Sequence, residues 1–407
     1  MKHLLTKALL VGALLASTAT AALAQDKVVL TMWHGHPEWK NAVEKIIAKY
    51  ESENPNVEIQ LTEIPGQDIP ARLNTALAAG EAPDLFALQL GAAVTAAAAA
   101  DQLVDLTGKI DISGLTQAAQ NAATIDGKIW EVPVFGSYTV GLYYQKKIFA
   151  DNGLKPPTNE TEFFKVCDAL KAKHITPMVA PAQDGIIPSF LYMMQVASVL
   201  KADGIADLQT GKRKLTDPDV VKAAKYLQDM YPCFEPGALG TSYVEGKAIF
   251  ALGKGAMLEG GSADYAGFVQ TNPKIDVGVV PFPAVDGGTP STVTGMQDTF
   301  SVNAKSAHAA EAIKFLQWML GKEAAQMVAD SITLSNTVGV SPTNSPVMAE
   351  MVAASHSNDV RVFYELAGIG DVFTAAQQNA GALFLKKLTP EQFAAKLQAT
   401  IKPIAAK

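Results

Sequence analysis

Trp33, His34, His36, Glu38 and Trp39 crowd into one short stretch at the end of an apolar run, Val28 to Trp33. Two imidazoles and a carboxylate offer donors and acceptors to hydroxyl groups, and an indole offers a flat apolar face. That set suits a polyhydroxylated ring, whose rim is polar and whose faces are C–H surfaces. The alternative reading makes Trp33 a core residue and Trp39 a helix-face anchor. Metal chemistry finds less support, because His34 and His36 have no third His or Cys at ligand spacing. Gly240-Thr-Ser-Tyr-Val-Glu-Gly246-Lys-Ala248 approaches a phosphate loop but is one residue too long, with Ala248 where Ser or Thr is required. Gly260-Gly-Ser262-Ala-Asp264 fails as a nucleophile elbow, since Asp264 stands where glycine is needed. Glu38, Glu259 and Asp298 are among the carboxylates that a glycoside hydrolase or lyase would need in pairs, and no spacing ties two of them together. No cofactor is implied. Cys167 and Cys233 either form a bridge or remain two separate, half-buried thiols.

These side chains need a frame. Val43, Ile46, Ile47 and Tyr50 recur at i, i+3, i+4, i+7, the stripe of a helix lying on a sheet. Val57, Ile59 and Leu61 alternate as a second strand. Leu73, Ala76 and Leu77 mark a helix that stops at Gly80, and Leu85 to Leu88 is the next strand. This β-α-β-α-β order predicts an α/β fold with largely parallel sheets, whose strand ends are where ligands sit. Further on, Asn159 with Glu162 reads as a capping box, and Asp217-Pro218 as a helix start. Thr389-Pro-Glu-Gln392 opens the last helix, with Phe393, Leu397 and Ile401 inward. Asp126-Gly127 reads as a tight turn feeding a strand from Lys128 to Val134, and Thr176 to Ala180 as another strand.

The chain has 407 residues and a formal net charge of −7, with no basic block to suit nucleic acid. Its first 24 residues read as a cleavable export signal: Lys2, His3 and Lys7, an apolar run from Ala8 to Ala16, then Ala22-Leu23-Ala24. No Cys follows to accept a lipid, and no later run reaches the roughly 20 apolar residues of a membrane span. The expectation is a periplasmic protein without a membrane anchor, long enough for two or three domains.

Leu30-Thr-Met-Trp-His-Gly-His36, Asn54-Pro-Asn-Val57, Ala76-Leu-Ala-Ala-Gly-Glu-Ala-Pro-Asp-Leu85 and Asp126-Gly-Lys-Ile-Trp-Glu-Val-Pro-Val134 follow one another in order. With Gly141-Leu-Tyr-Tyr-Gln-Lys146, Gly246-Lys-Ala, Ala256-Met-Leu-Glu-Gly-Gly-Ser262, Gly278-Val-Val-Pro281 and Pro342, the chain resembles the extracellular solute-binding proteins of sugar ABC importers, the maltose-binding-like family. The resemblance implies two α/β lobes joined by a hinge, residues 25–134 with 281–340 and residues 135–280 with 341–407. It implies a non-enzymatic monomer that closes on a mono- or oligosaccharide between its lobes, read by an inner-membrane permease with its ATPase. The same fold could instead hold a polyamine or an anion.

By the same resemblance, Gln89 follows the third strand, and Phe135, Gly136 and Ser137 follow the first interlobe crossing. Gln183 follows the strand at Thr176 to Ala180. Ser137 and Gln183 serve either the ligand or a turn. Gly261 and Ser262 match a turn that in relatives often precedes a stacking Trp; here Ala263 follows, which leaves Phe373 as the aromatic platform or as a core residue. Gln297 and Asp298 occupy a loop that is commonly Gly-rich, where they offer polar groups to hydroxyls. Loss of a charged hydrogen bond in Asp298→Ala is expected to weaken sugar binding by about 1.5 to 3 kcal/mol.

Overall fold

A computed structural model describes residues 27–36, 39–65, 68–88, 92–125, 127–343, 345–355, 359–366 and 368–405. The expected export signal, Glu38, Gln89 and Asp126 lie outside the described residues. The first sheet gathers β1 (Val28–His34), β2 (Val57–Glu63) and β3 (Leu85–Ala87) with a late strand, β11 (Phe300–Val302), in the order β11-β3-β1-β2. β1 runs parallel to β2, with Val28 opposite Val57, and parallel to β3; β11 returns antiparallel, with Phe300 opposite Ala87. The pleat of β1 sends Leu30, Met32 and His34 to one face, where the helix Lys40–Glu53 buries Val43, Ile46, Ile47 and Tyr50. Trp33 faces the other way and packs beside Leu73 and Phe86. Gly80, at φ +74°, ends the helix Ile69–Ala79 in the left-handed conformation that glycine adopts without penalty. Asp84 then pins β1, accepting from Thr31 N and Thr31 Oγ1 at 2.8 Å each.

β4 (Thr124–Ile125) and β5 (Lys128–Ile129) form a small hairpin, shorter than the expected strand to Val134. The second sheet is built around β6 (Ser137–Gln145), with β7 (Met178–Val179), β8 (Met257–Gly261), β9 (Val277–Val280), β10 (Thr292–Met296) and β12 (Asp359–Arg361). β6 is antiparallel to β8, β9 and β10, so this sheet is mixed rather than largely parallel. An apolar run carries no strand direction, because parallel and antiparallel partners bury the same side chains.

Residues 281–296, expected in the first lobe, pair and pack with the second sheet. β10 pairs with β6, Val293 opposite Val140, and Phe282, Val285 and Val293 are buried in the second sheet's core. Residues 281–296 therefore join the second sheet. Phe135 packs in the first core, and Leu334 packs beside Tyr143 of β6. The chain crosses between the sheets near residues 132–137, 296–300 and 332–336, and these crossings are hydrogen-bonded to one another. Val132 exchanges both backbone bonds with Phe300, Gln297 N donates to Gly136 O at 2.9 Å, and Ser137 N donates to Leu334 O at 2.8 Å.

Helix ends follow local chemistry. Thr389 and Gln392 form a complete capping box for the helix Pro390–Gln398, whereas Asn159 caps Glu162 N while the Glu162 carboxylate turns to Thr158. Asp217 accepts from Arg213 instead of capping the helix Pro218–Met230. Cys167, on the helix Glu160–Lys171, and Cys233 are joined in a disulfide across a Cα–Cα distance of 5.9 Å, inside the second core. No described helix is long and apolar enough to cross a membrane.

Candidate functional site

β1 ends at His34, which is fully buried with its ring 5.3 Å from Phe135 and 5.6 Å from Trp39. Two residues on, His36 stacks on Trp39 at 3.9 Å and 14°. Asp298, from the segment joining β10 to β11, reaches both imidazoles: Oδ2 lies 3.6 Å from His34 Nε2 and Oδ1 lies 3.3 Å from His36 Nε2. The Gln297 amide nitrogen lies 3.1 Å from His36 Nε2. Burial pushes the Asp298 carboxyl up, but His36 and His34, with the Gly35 N–H, outweigh it and hold the group below the ordinary aspartate range. A His–Asp–His cluster thus ties the first sheet's strand end to a crossing segment.

His36 and Gln297 form one side of a cavity of 190 Å³. Opposite stand Tyr138 and Val140 on β6, Glu259 and Gly261 on β8, and Ile187 and Phe190 on the helix Ile186–Gln209. Tyr243 and Lys247, on the helix Tyr243–Ala251, with Ala263, Asp264 and Tyr364 complete the lining. Larger hollows of about 530 and 500 Å³, near Asp286 and near Ile249, are more open and draw on the second lobe alone. The smaller cavity joins both lobes at strand ends, which makes it the better ligand site on physical grounds.

One wall is aromatic. Tyr138 meets Phe190 edge to face at 6.2 Å, and the Tyr138 and Tyr364 hydroxyls are hydrogen-bonded to each other. Burial, reinforced by Tyr364 and Glu365, pushes the Tyr138 hydroxyl well above the ordinary tyrosine range, so it stays protonated. The other wall is polar. A capping box of Ser242 and Glu245 starts the helix Tyr243–Ala251 and sets Tyr243 and Lys247 one turn apart on the same face. The Lys247 ammonium lies 3.6 Å over the Tyr243 ring and pairs with Asp264. Asp264 also accepts from Tyr243 Oη at 2.9 Å and from Gly261 N at 2.8 Å. Aromatic edges beside converging donors and acceptors can hold a ring with C–H faces and a hydroxyl rim.

The residues expected in the site divide accordingly. His36, Gly261 and Gln297 line the cavity, and Asp298 and His34 stand behind His36. Trp33 packs on the far face of β1, and Phe135 is core, 1% exposed. Gly136 (φ +82°) is a turn where a Cβ would lie 2.0 Å from Leu334 O. Ser137 carries crossing hydrogen bonds, its carbonyl accepting from Thr333 Oγ1 at 2.8 Å. Ser262 Oγ bonds Thr333 Oγ1 and accepts from Thr139 N, and it lies outside the lining of this cavity. Gln183 is exposed, its backbone N–H bonded to Thr241 O, and it lies outside the lining. Phe373 stands one layer back, against Phe190 at 5.3 Å and Tyr364 at 5.2 Å. Sequence reasoning did not place Tyr138, Phe190, Tyr243, Lys247, Asp264 or Tyr364 in the site. The Tyr243/Lys247 spacing of four after a capping box was the usable signal.

The sequence profile of the bacterial extracellular solute-binding protein family matches residues 36–326. A multiple sugar-binding protein of Streptococcus mutans is 27% identical over 317 residues, 75% of this chain and 74% of its own. The melibiose/raffinose/stachyose-binding protein of Bacillus subtilis is 24% identical, over 72% of this chain and 70% of its own. Among solved structures, a chitin oligosaccharide binding protein superposes with a TM-score of 0.78 at 27% identity, covering 92% of this chain and 98% of that one. With its two lobes and an interlobe cleft, the chain belongs to the bacterial extracellular solute-binding protein family.

Proposed function

We propose that this protein captures a carbohydrate, a mono- or short oligosaccharide, in the interlobe cleft and delivers it to an ABC permease. The observation that carries the reading is the composition of the cavity, where Tyr138, Phe190, Tyr243 and Tyr364 stand beside His36, Gln297 and Asp264. Stacking edges and neutral or already paired polar groups suit a sugar better than a free ion. The names of the relatives, sugar- and oligosaccharide-binding proteins, support the same reading. The lobes are assigned as residues 27–136 with 297–333 and residues 137–296 with 334–405, closing about the three crossings. The ligand favours the closed state through contacts made to both sides at once. Export to the periplasm, a monomeric state and coupling to a permease-associated ATPase complete the proposal, with binding rather than turnover as the activity.

Thermal unfolding against melibiose, raffinose, stachyose and chitin oligosaccharides tests it. A ligand at about 100 times its Kd adds about 2.7 kcal/mol of stability, so the matching sugar raises the melting temperature by several degrees. A rise with spermidine or an inorganic anion and with no carbohydrate overturns the reading.

A further inference from the structure

The acids around the cleft differ in one respect. Asp264 has Lys247, Tyr243 and the Gly261 N–H; Asp298, whose Oδ2 makes no hydrogen bond among the described residues, still has basic imidazoles within 3.3 and 3.6 Å; Glu365 has Arg361 and the Met296 N–H. Glu259 lines the cavity at 2% exposure, and its Oε2 has no hydrogen-bond partner among the described residues. On β8 it sits opposite Leu142, on the pleat that also carries Met257 toward the second core, and it shares the cavity wall with the apolar Val140 and Ile187 as well as with Lys247 and Asp264. A carboxylate ionised there without a donor is costly, whereas a carboxyl that keeps its proton is tolerated. Burial and the nearby Asp264 charge push its pKa well above the ordinary glutamate range, with Lys247 opposing.

We propose that Glu259 is a specificity-determining residue that meets the ligand as an uncharged carboxylic acid, donating a hydrogen bond to a sugar oxygen, so that the cleft takes neutral glycosides and rejects uronates. This rests on the carbohydrate reading above. The groups facing Glu259 favour a neutral ligand. The helix Tyr243–Ala251 presents Lys247 and Tyr243, Asp264 stands at the start of its own helix, β6 presents Tyr138, and the helix Ile186–Gln209 presents only the uncharged Ile187 and Phe190. His36 and Tyr364 face it across the cavity. A uronate needs a cation, but Lys247 is held by Asp264 and Arg361 by Glu365. A ligand amine has to strip the Glu259 proton while sitting in the same cavity as the Lys247 ammonium.

The test is calorimetric titration of raffinose, or of whichever panel sugar raises the melting temperature most, between about pH 6 and pH 9. Wild type, Glu259→Gln and Glu259→Leu are compared, with galacturonic acid as the anionic probe. Ionisation removes the donated proton, so wild-type affinity falls as pH rises through the Glu259 pKa. Glu259→Gln keeps a donor and cannot ionise; it binds within about threefold of wild type at the acid end and its affinity is flat with pH, while Glu259→Leu binds about tenfold more weakly. Galacturonic acid does not bind the wild type. A wild-type pH profile retained in Glu259→Gln, full affinity in Glu259→Leu, or affinity that rises with pH as protons are released overturns the proposal while the carbohydrate reading stands. Failure of every sugar to bind the folded wild type overturns both.

Discussion

Replacing Asp298 with asparagine keeps the side chain's shape and removes the charge that holds two imidazoles. At 3.3 Å, the closer contact, a full ion pair amounts to about 5 kcal/mol at an effective dielectric constant of about 20, before desolvation is subtracted. Asp298 is only 4% exposed, so desolvation offsets much of that. Counted as loss of hydrogen bonding to a charged group, the net effect is about 2 kcal/mol, which lowers the melting temperature by about 2 to 5 °C depending on whether the lobes unfold together. The pH dependence has a definite sign. The Asp298 pKa is held below its ordinary value, so the ionised group's stabilisation is fully present above the unfolded pKa of about 3.9 and is lost as pH falls through the lower folded pKa. The gap between wild type and Asp298→Asn in thermal unfolding is therefore present above about pH 4 and closes on the acid side of it. Because Asp298 reaches the cavity through His36, sugar affinity falls as well, about five- to tenfold, as the ring loses its tether. Equal melting temperatures for the two proteins at pH 7 refute the assignment of the cluster as a tie between the first sheet's strand end and the crossing segment.

Cys167→Ser combined with Cys233→Ser opens a bridge across a sequence separation of 66, and chain entropy puts the loss at about 4 kcal/mol; a urea midpoint unchanged by reduction counts against that bridge. Gly136→Ala places a Cβ 2.0 Å from Leu334 O at a φ of +82°, so the crossing must shift, at a loss of about 2 to 4 kcal/mol in denaturant unfolding. Tyr243→Phe removes the hydroxyl donated to Asp264 and weakens sugar binding by about 0.5 to 1.5 kcal/mol, read by calorimetry, with little change in melting temperature.

The first sheet was legible because its signals are local. The stripe Val43, Ile46, Ile47, Tyr50 is four residues on one helix face, and all four are buried where the period places them. Gly80 and Thr389 work the same way, each satisfying backbone groups within a turn of itself. The second sheet was less legible, because β6 draws β10 from about 150 residues away, and the sequence of β10 does not record which sheet it joins. The expectation put residues 281–296 in the first lobe, whereas β10 pairs with β6, which is why we propose the lobe boundary after β10. Asp217 shows the limit of local logic: a good capping residue went to a nearby Arg213 instead.

The cleft follows the same division. His36 was accessible to sequence reasoning because it lies two residues past the first strand's end, and Gln297 and Asp298 because the family resemblance set them in a loop that is commonly Gly-rich. Tyr138, Phe190, Tyr243 and Tyr364 come from four separate elements, and nothing in any one of them marks its ring as facing a cavity rather than a core. What unites both sets is the crossings. Gln297 lines the cavity and binds Gly136 O through its backbone N–H, so a residue proposed to meet the ligand also belongs to the crossings. On the proposed carbohydrate reading, a ligand held by His36 and Gln297 would act on the crossings directly, and loss of the Asp298 contact to His36 is expected to weaken that coupling.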